Sequence, residues 1–176
     1  MLQQTNAEKV EPVYKKFISQ HPTIYDLNRA DLSKLKDFIK PLGLINRADK
    51  LKRIAGIVVR NYGGQIPDEK KALMNLPGVG HYIANAVLCF GYNKPYGVLD
   101  TNTIRILERL FAVVSDKTRP RNETKLRDKL NELVKFYNCS DFNYTLLDFG
   151  SKICRKRNPK CSICPVEGRC EYENKD

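Results

Sequence analysis

Apolar positions recur along this chain with a helical period almost from end to end, and punctuation residues cut the pattern into separate helices. Residues 7–20 place Val10, Val13, Tyr14, Phe17 and Ile18 on one face, and His21-Pro22 stops the run. Residues 23–28 and 31–40 read as two short helices ended by Pro41 and Gly43. The cleanest pattern is 47–62, where Ala48, Leu51, Ile54, Ala55, Val58, Val59 and Tyr62 keep the i, i+3, i+4 spacing before Gly63-Gly64. Further helices are predicted over 69–76, 81–90, 101–111, 122–137 (Leu126, Leu130, Leu133 and Val134 inward) and 140–152. No stretch alternates with period two, so the fold class is all-α.

The stretch that organises the rest is 76–100, LPGVGHYIANAVLCFGYNKPYGVLD. Pro77 stops one helix, Gly78 and Gly80 permit a tight turn, and His81 opens the next, which makes a helix–hairpin–helix. Free of side-chain bulk, the amides around Gly78, Val79 and Gly80 can approach a phosphate, a grip on nucleic-acid backbone that reads no sequence. Pro-Gly-x-Gly also joins helices in proteins that touch no nucleic acid. His81 is either part of that grip or of the neighbouring site. A Gly/Pro-rich loop then leads to Asp100, an N-cap for the helix that follows.

Charge narrows the partner. Lys and Arg number 31 against 20 Asp and Glu among 176 residues, and a net +11 favours a polyanion. With no run of 18 apolar residues and no signal-like start, the expected location is intracellular. Four of the six cysteines, Cys154, Cys161, Cys164 and Cys170, crowd together as C-x6-C-x2-C-x5-C, while Cys89 and Cys139 fall in helical patterns. That clustering favours a metal centre over a disulfide framework, and spacing alone leaves zinc and iron–sulfur open. Lys152, Arg155, Lys156, Arg157, Lys160 and Arg169 surround it with positive charge.

LPGVG followed by an L-D aspartate, with this cysteine spacing, resembles the helix–hairpin–helix DNA glycosylases of the endonuclease III and MutY superfamily over essentially the whole chain. The resemblance implies a two-lobed fold: 23–120 a helical barrel lobe with the hairpin, and 1–22 plus 121–176 a second lobe with the cluster loop at 154–170. It implies a 4Fe-4S cluster on Cys154, Cys161, Cys164 and Cys170, and with no flavin motif or second redox site visible in the sequence a structural and DNA-docking part is expected of it. It implies a monomer acting on double-stranded DNA that contains a mismatch or lesion.

Asp100 is then the carboxylate that steadies the oxocarbenium-like sugar as its base departs, at a helix N-terminus whose amides favour an anion. Members with lyase activity carry a lysine two residues after the second hairpin glycine, where this chain has Tyr82. A phenol forms no imine, so the expected enzyme is monofunctional, with water completing hydrolysis and weak or no strand scission. The opening MLQQT is similar to the MutY sequence in which a glutamine wedges into the stack, which places Gln4 and Gln3 on DNA; GLIN is similar to a second intercalating loop, which offers Ile45 or Leu44. An apolar helix-entrance cap accounts for Ile45 equally well.

His81, Tyr82, Asn85 and Tyr144 are expected around the everted base, with Ile83, Ala84, Val87 and Leu88 in the core. The favoured substrate is thymine or uracil opposite guanine. The MutY-type alternative, adenine opposite guanine or 8-oxoguanine, has MLQQT in its favour. Against it stand the absence of an acid just before that motif, LDTN in place of D-G-N, Tyr144 in place of a glutamine, and no 8-oxoguanine recognition domain. About one helix fewer precedes MLQQT than is usual in the superfamily, so a late start or a fragment is expected. A non-catalytic DNA-binding module and a zinc-stapled nucleic-acid protein are the readings outside this class.

Overall fold

The computed structural model describes residues 5–43, 45–113 and 123–172 and is helical, with no strand among them. The helices are α1 (Ala7–Gln20), α2 (Ile24–Arg29), α3 (Leu32–Ile39), α4 (Asn46–Tyr62), α5 (Lys70–Met74), α6 (His81–Ala86), α7 (Thr101–Phe111), α8 (Thr124–Val134) and α9 (Cys139–Lys152). Beyond α6 the helix widens into a π turn over Val87–Gly91 instead of running on as α-helix. The predicted helices are all present, with boundaries shifted by a few residues. The chain divides into two compact units, residues 1–78 and 79–176.

In the first unit, Thr23 caps α2 through a reciprocal pair with Asp26, and Asp31 caps α3. Both helices lie on α4, and Phe17, Leu27, Leu35, Ile39, Ala48 and Ala55 form the shared core. Phe17 brings α1 into that core, while Tyr14 and Ile18, expected beside it, are exposed. The α1 stripe is therefore narrower than its hydrophobicity indicates. Lys52 of α4 donates its ammonium protons to the carbonyls of Asn28 and Ala30, closing the C-terminal end of α2 where orphan carbonyls collect.

In the second unit α7, α8 and α9 pack on one another around Leu99, Ile104, Leu107, Leu126 and Leu130. Leu126, Leu130 and Val134 are fully buried, as the α8 pattern predicts. On α6 the inward residues are Ala84 and Asn85, followed by Leu88 and Cys89, whereas Ile83 is exposed against expectation. Cys89 and Cys139, which the sequence placed in unrelated helices, form a disulfide with their Cα atoms 5.7 Å apart.

Candidate active site

The hairpin is built as the sequence dictates. Leu76 is buried, Gly78 takes a left-handed φ of 76°, and Gly80 is the N-cap of α6 with no side-chain cap of its own. Over Gly78 lies the aliphatic stem of Lys50 from α4, whose Cδ stands 3.1 Å from where a β-carbon would sit. His81 is half-buried at the first position of α6, and Tyr82 beside it is 47% exposed.

Asp100 caps α7. Its Oδ1 accepts the Thr103 backbone N–H at 2.8 Å and stands 2.9 Å from the Thr103 hydroxyl, while Oδ2 accepts the Asn102 amide at 3.3 Å. Asn102 is itself oriented, since its Oδ1 accepts Arg105 Nη2 at 2.8 Å and the same guanidinium nitrogen donates to the Gly150 carbonyl at 2.7 Å. One carboxylate oxygen is thus committed to the helix. The other carries a single long hydrogen bond and belongs to a half-buried residue, so it keeps acceptor capacity for a developing cation.

The segment before Asp100 is held by side-chain amides, of which those of Asn85 and Asn143 are buried and that of Asn131 is half-buried. Asn143 Oδ1 accepts Val98 N–H at 2.7 Å, Asn131 Oδ1 accepts Gly97 N–H at 2.9 Å, and Asn85 donates to the Gly97 carbonyl at 2.7 Å. Asn85, expected to line a base pocket, is only 1% exposed and its amide group is bonded to that carbonyl. Tyr144 is exposed and stacks on Phe90 with ring centroids 4.9 Å apart. Ile45 is exposed at the entrance of α4 and makes no side-chain cap. Gln3, Gln4 and Leu44 lie outside the described residues. Sequence reasoning passed over Asn102, Thr103, Arg105, Asn131 and Asn143; the backbone partners of Asn131 and Asn143 lie 34 and 45 residues away along the chain.

Cys154, Cys161, Cys164 and Cys170 line one cavity together with Ile106, Arg109, Phe149 and Tyr172. Among the described residues no three His, Cys, Asp or Glu side chains gather as they would around a single metal ion. Four cysteines on one cavity wall are the donor set that would hold an iron–sulfur cluster. The loop is tied to α7, the helix that Asp100 starts: Arg105 Nε donates to the Cys154 carbonyl at 2.8 Å and Arg109 Nη1 to the Arg155 carbonyl at 2.8 Å. The Arg109 guanidinium stacks on Tyr172 at 4.2 Å and reaches Cys154 Sγ at 3.6 Å. Burial pushes the Cys161 thiol up from its ordinary value, Cys164, Cys170 and Cys154 add to the effect, and Arg109 opposes it. A cation beside four thiols would partly offset the charge of an anionic group held there.

Residues 1–132 match the profile of the HhH-GPD superfamily of base excision DNA repair proteins. The chain belongs to that superfamily. The HhH-GPD match takes in the hairpin and Asp100, and the cysteine loop lies beyond it. Among HhH-GPD relatives, the thymine/uracil-DNA glycosylase of Pyrobaculum aerophilum is 38% identical over 169 residues, covering 94% of this chain and 74% of that protein. The adenine DNA glycosylase of Buchnera aphidicola is 35% identical over 97% of this chain, but only 49% of its own length is covered. The solved structure of a thermostable thymine-DNA glycosylase superposes with a TM-score of 0.89 at 36% identity, covering 97% of this chain and 79% of that one. The all-α fold expected from the helical pattern, and the helix–hairpin–helix glycosylase fold expected from the resemblance, are the fold observed.

Proposed function

We propose that this chain is a monofunctional DNA glycosylase that everts thymine or uracil paired with guanine and hydrolyses its N-glycosidic bond, leaving an abasic site. The observation that carries the reading is the seat of Asp100: a carboxylate locked to the N-terminus of α7 through Oδ1 while Oδ2 stays available. Cleavage builds positive charge on the sugar, and a fixed anion against its face lowers that barrier without reorganising. Tyr82 stands where an imine-forming lysine would act, so water completes the reaction. A mismatch lowers the expense of eversion and supplies part of the selectivity.

In this reading Gly78, Val79, Gly80 and His81 hold the phosphate backbone, and Gln3, Gln4 and Ile45 fill the space the base vacates. Tyr82 and Tyr144 face the base, and Asn85 supports that wall from within the core. Cys154, Cys161, Cys164 and Cys170 hold a 4Fe-4S cluster that fixes the basic loop for DNA docking, and the enzyme works as a monomer. The similarity to thymine/uracil-DNA glycosylases supports this substrate choice. A second reading, adenine excision, is favoured by the similarity to adenine DNA glycosylases, of which the chain spans about half the length.

Two measurements test the proposal. Labelled duplexes bearing T·G, U·G, A·G or A·8-oxoguanine are incubated with the protein and abasic sites are opened with alkali; cleavage of the T·G and U·G duplexes is expected, and cleavage confined to the adenine duplexes refutes the substrate. Purified anaerobically, the protein is expected to be brown with absorbance at about 400 nm, and a colourless zinc-containing protein refutes the cluster.

A further inference from the structure

Residues 96–98 approach Asp100 without regular secondary structure, and side-chain amides from three helices take up their backbone polar groups. Gly97 is bonded at both ends, its N–H to Asn131 of α8 at 2.9 Å and its carbonyl to Asn85 of α6 at 2.7 Å. Asn143 of α9 accepts Val98 N–H at 2.7 Å and donates to the carbonyls of Tyr96 at 3.1 Å and Cys139 at 2.8 Å. A primary amide offers the donor and acceptor of a peptide group, so these asparagines do for an isolated segment what a neighbouring strand does in a sheet. Gly97 lies so close to α8 that a β-carbon there would run into Leu130.

Packing alone does not explain this arrangement. Asn85 and Asn143 are 1% and 2% exposed, and a buried polar side chain is costly unless hydrogen-bonded; here the bonds are made to the backbone of residues 96–98 and, for Asn143, also to Cys139. What they fix is two residues away. Val98 and Leu99 are buried at 4% and 3% exposure, so a shift of the segment passes along a taut backbone to Asp100.

We propose that Asn85, Asn131 and Asn143 are positioning residues that set where the Asp100 carboxylate stands against the sugar. The clamp acts from the N-terminal side while Thr103 and Asn102 hold the carboxylate from the C-terminal side. Misplacing a reacting group by about 1 Å lowers a rate by about 100-fold, so loosening the segment slows excision without touching the DNA grip. This inference rests on the glycosylase reading.

Asn131→Ala removes the acceptor for Gly97 N–H, and Asn143→Ala removes the acceptor for Val98 N–H. With each variant helical by circular dichroism, single-turnover excision from a T·G duplex is expected to fall by about 10- to 100-fold while duplex affinity stays within about twofold. Asn131→Asp keeps the acceptor and is expected to return to within about threefold of the wild-type rate. Unchanged excision in folded Asn131→Ala overturns the clamp, and so does loss of affinity in step with rate. If Asn143→Ala fails to fold, Asn131→Ala decides alone. A wild-type protein that cuts no duplex refutes the glycosylase reading instead, and amide hydrogen exchange then tests the clamp: faster exchange at Gly97 and Val98 in Asn131→Ala is expected, and unaltered exchange overturns it.

Discussion

Replacing Asp100 by asparagine separates its observed capping of α7 from the catalytic duty proposed for it. Asparagine retains a carbonyl oxygen that can accept Thr103 N–H, now at 2.8 Å from Oδ1, and Asp and Asn are equivalent N-caps. The loss falls on Oδ2. Its replacement by an NH2 turns the 3.3 Å bond from Asn102 into a donor facing a donor, and Asn102 is held by Arg105, so the pair does not simply exchange roles. One modest hydrogen bond, about 1 kcal/mol, is therefore at stake, a melting shift of about 2–4 °C for a chain of this size. Catalysis responds on another scale. A full negative charge about 4 Å from a sugar cation contributes about 4 kcal/mol at an effective dielectric constant near 20, equivalent to a factor of about 1,000 in rate. Single-turnover assays with enzyme in excess over a T·G duplex, read as alkali-labile breaks, measure that factor, and anisotropy on the same duplex checks that binding survives. Excision within tenfold of wild type in Asp100→Asn, with its fold and affinity intact, would refute the electrostatic role.

The hairpin and Tyr82 each carry a prediction. Gly78→Ala puts a side chain at φ 76° against the stem of Lys50, a strain of about 1–2 kcal/mol, and is expected to weaken duplex binding by about tenfold; unchanged affinity across a salt titration would exclude Gly78 from the DNA contact. Tyr82→Lys introduces an amine at an exposed position beside the hairpin and is expected to yield a borohydride-trapped covalent complex with substrate DNA, visible as a shifted band. No trapped band from a variant that still excises the base would remove Tyr82 from reach of the sugar.

Legibility followed the range over which each signal acts. The α7 cap was readable because Asp100 and the helix it starts are adjacent in sequence, and the hairpin because its glycines sit together. The α4 and α8 faces were readable because burial repeats with the helical period. Asn131 and Asn143 were not, because a polar residue inside an apolar helix pattern looks like an exposed one until its partner, 34 or 45 residues away, is known. Asn85 was expected beside the base with His81 and Tyr82, yet its amide faces the Gly97 carbonyl. Tyr14, Ile18 and Ile83 erred the other way, since apolar character marks a residue fit for burial without assuring a neighbour to bury it.

The bond between Cys89 and Cys139 depends on tertiary structure in the same way and leads to a last prediction. Cys89 lies in the π turn after α6 and Cys139 opens α9; both are almost completely buried, and 50 residues separate them. The enclosed loop contains residues 96–98, Asp100, α7 and α8, so the cross-link closes the part of the chain that carries the carboxylate. Asn143 Nδ2 also lies 3.2 Å from Cys89 Sγ, which puts the bond beside the asparagines. Loop-closure entropy for a ring of about 50 residues corresponds to about 4 kcal/mol in the chain-entropy treatment, or about 8–16 °C in melting temperature. Cys139→Ala is the cleaner perturbation, since a reductant would also act on the four cysteines of the C-terminal loop. Denatured protein alkylated without reduction should yield a single peptide pair joining residues 89 and 139. Free alkylation of both thiols, or a Cys139→Ala melt within about 3 °C of wild type, would mean the two sulfurs merely pack together and the active-site loop is held by hydrogen bonds alone.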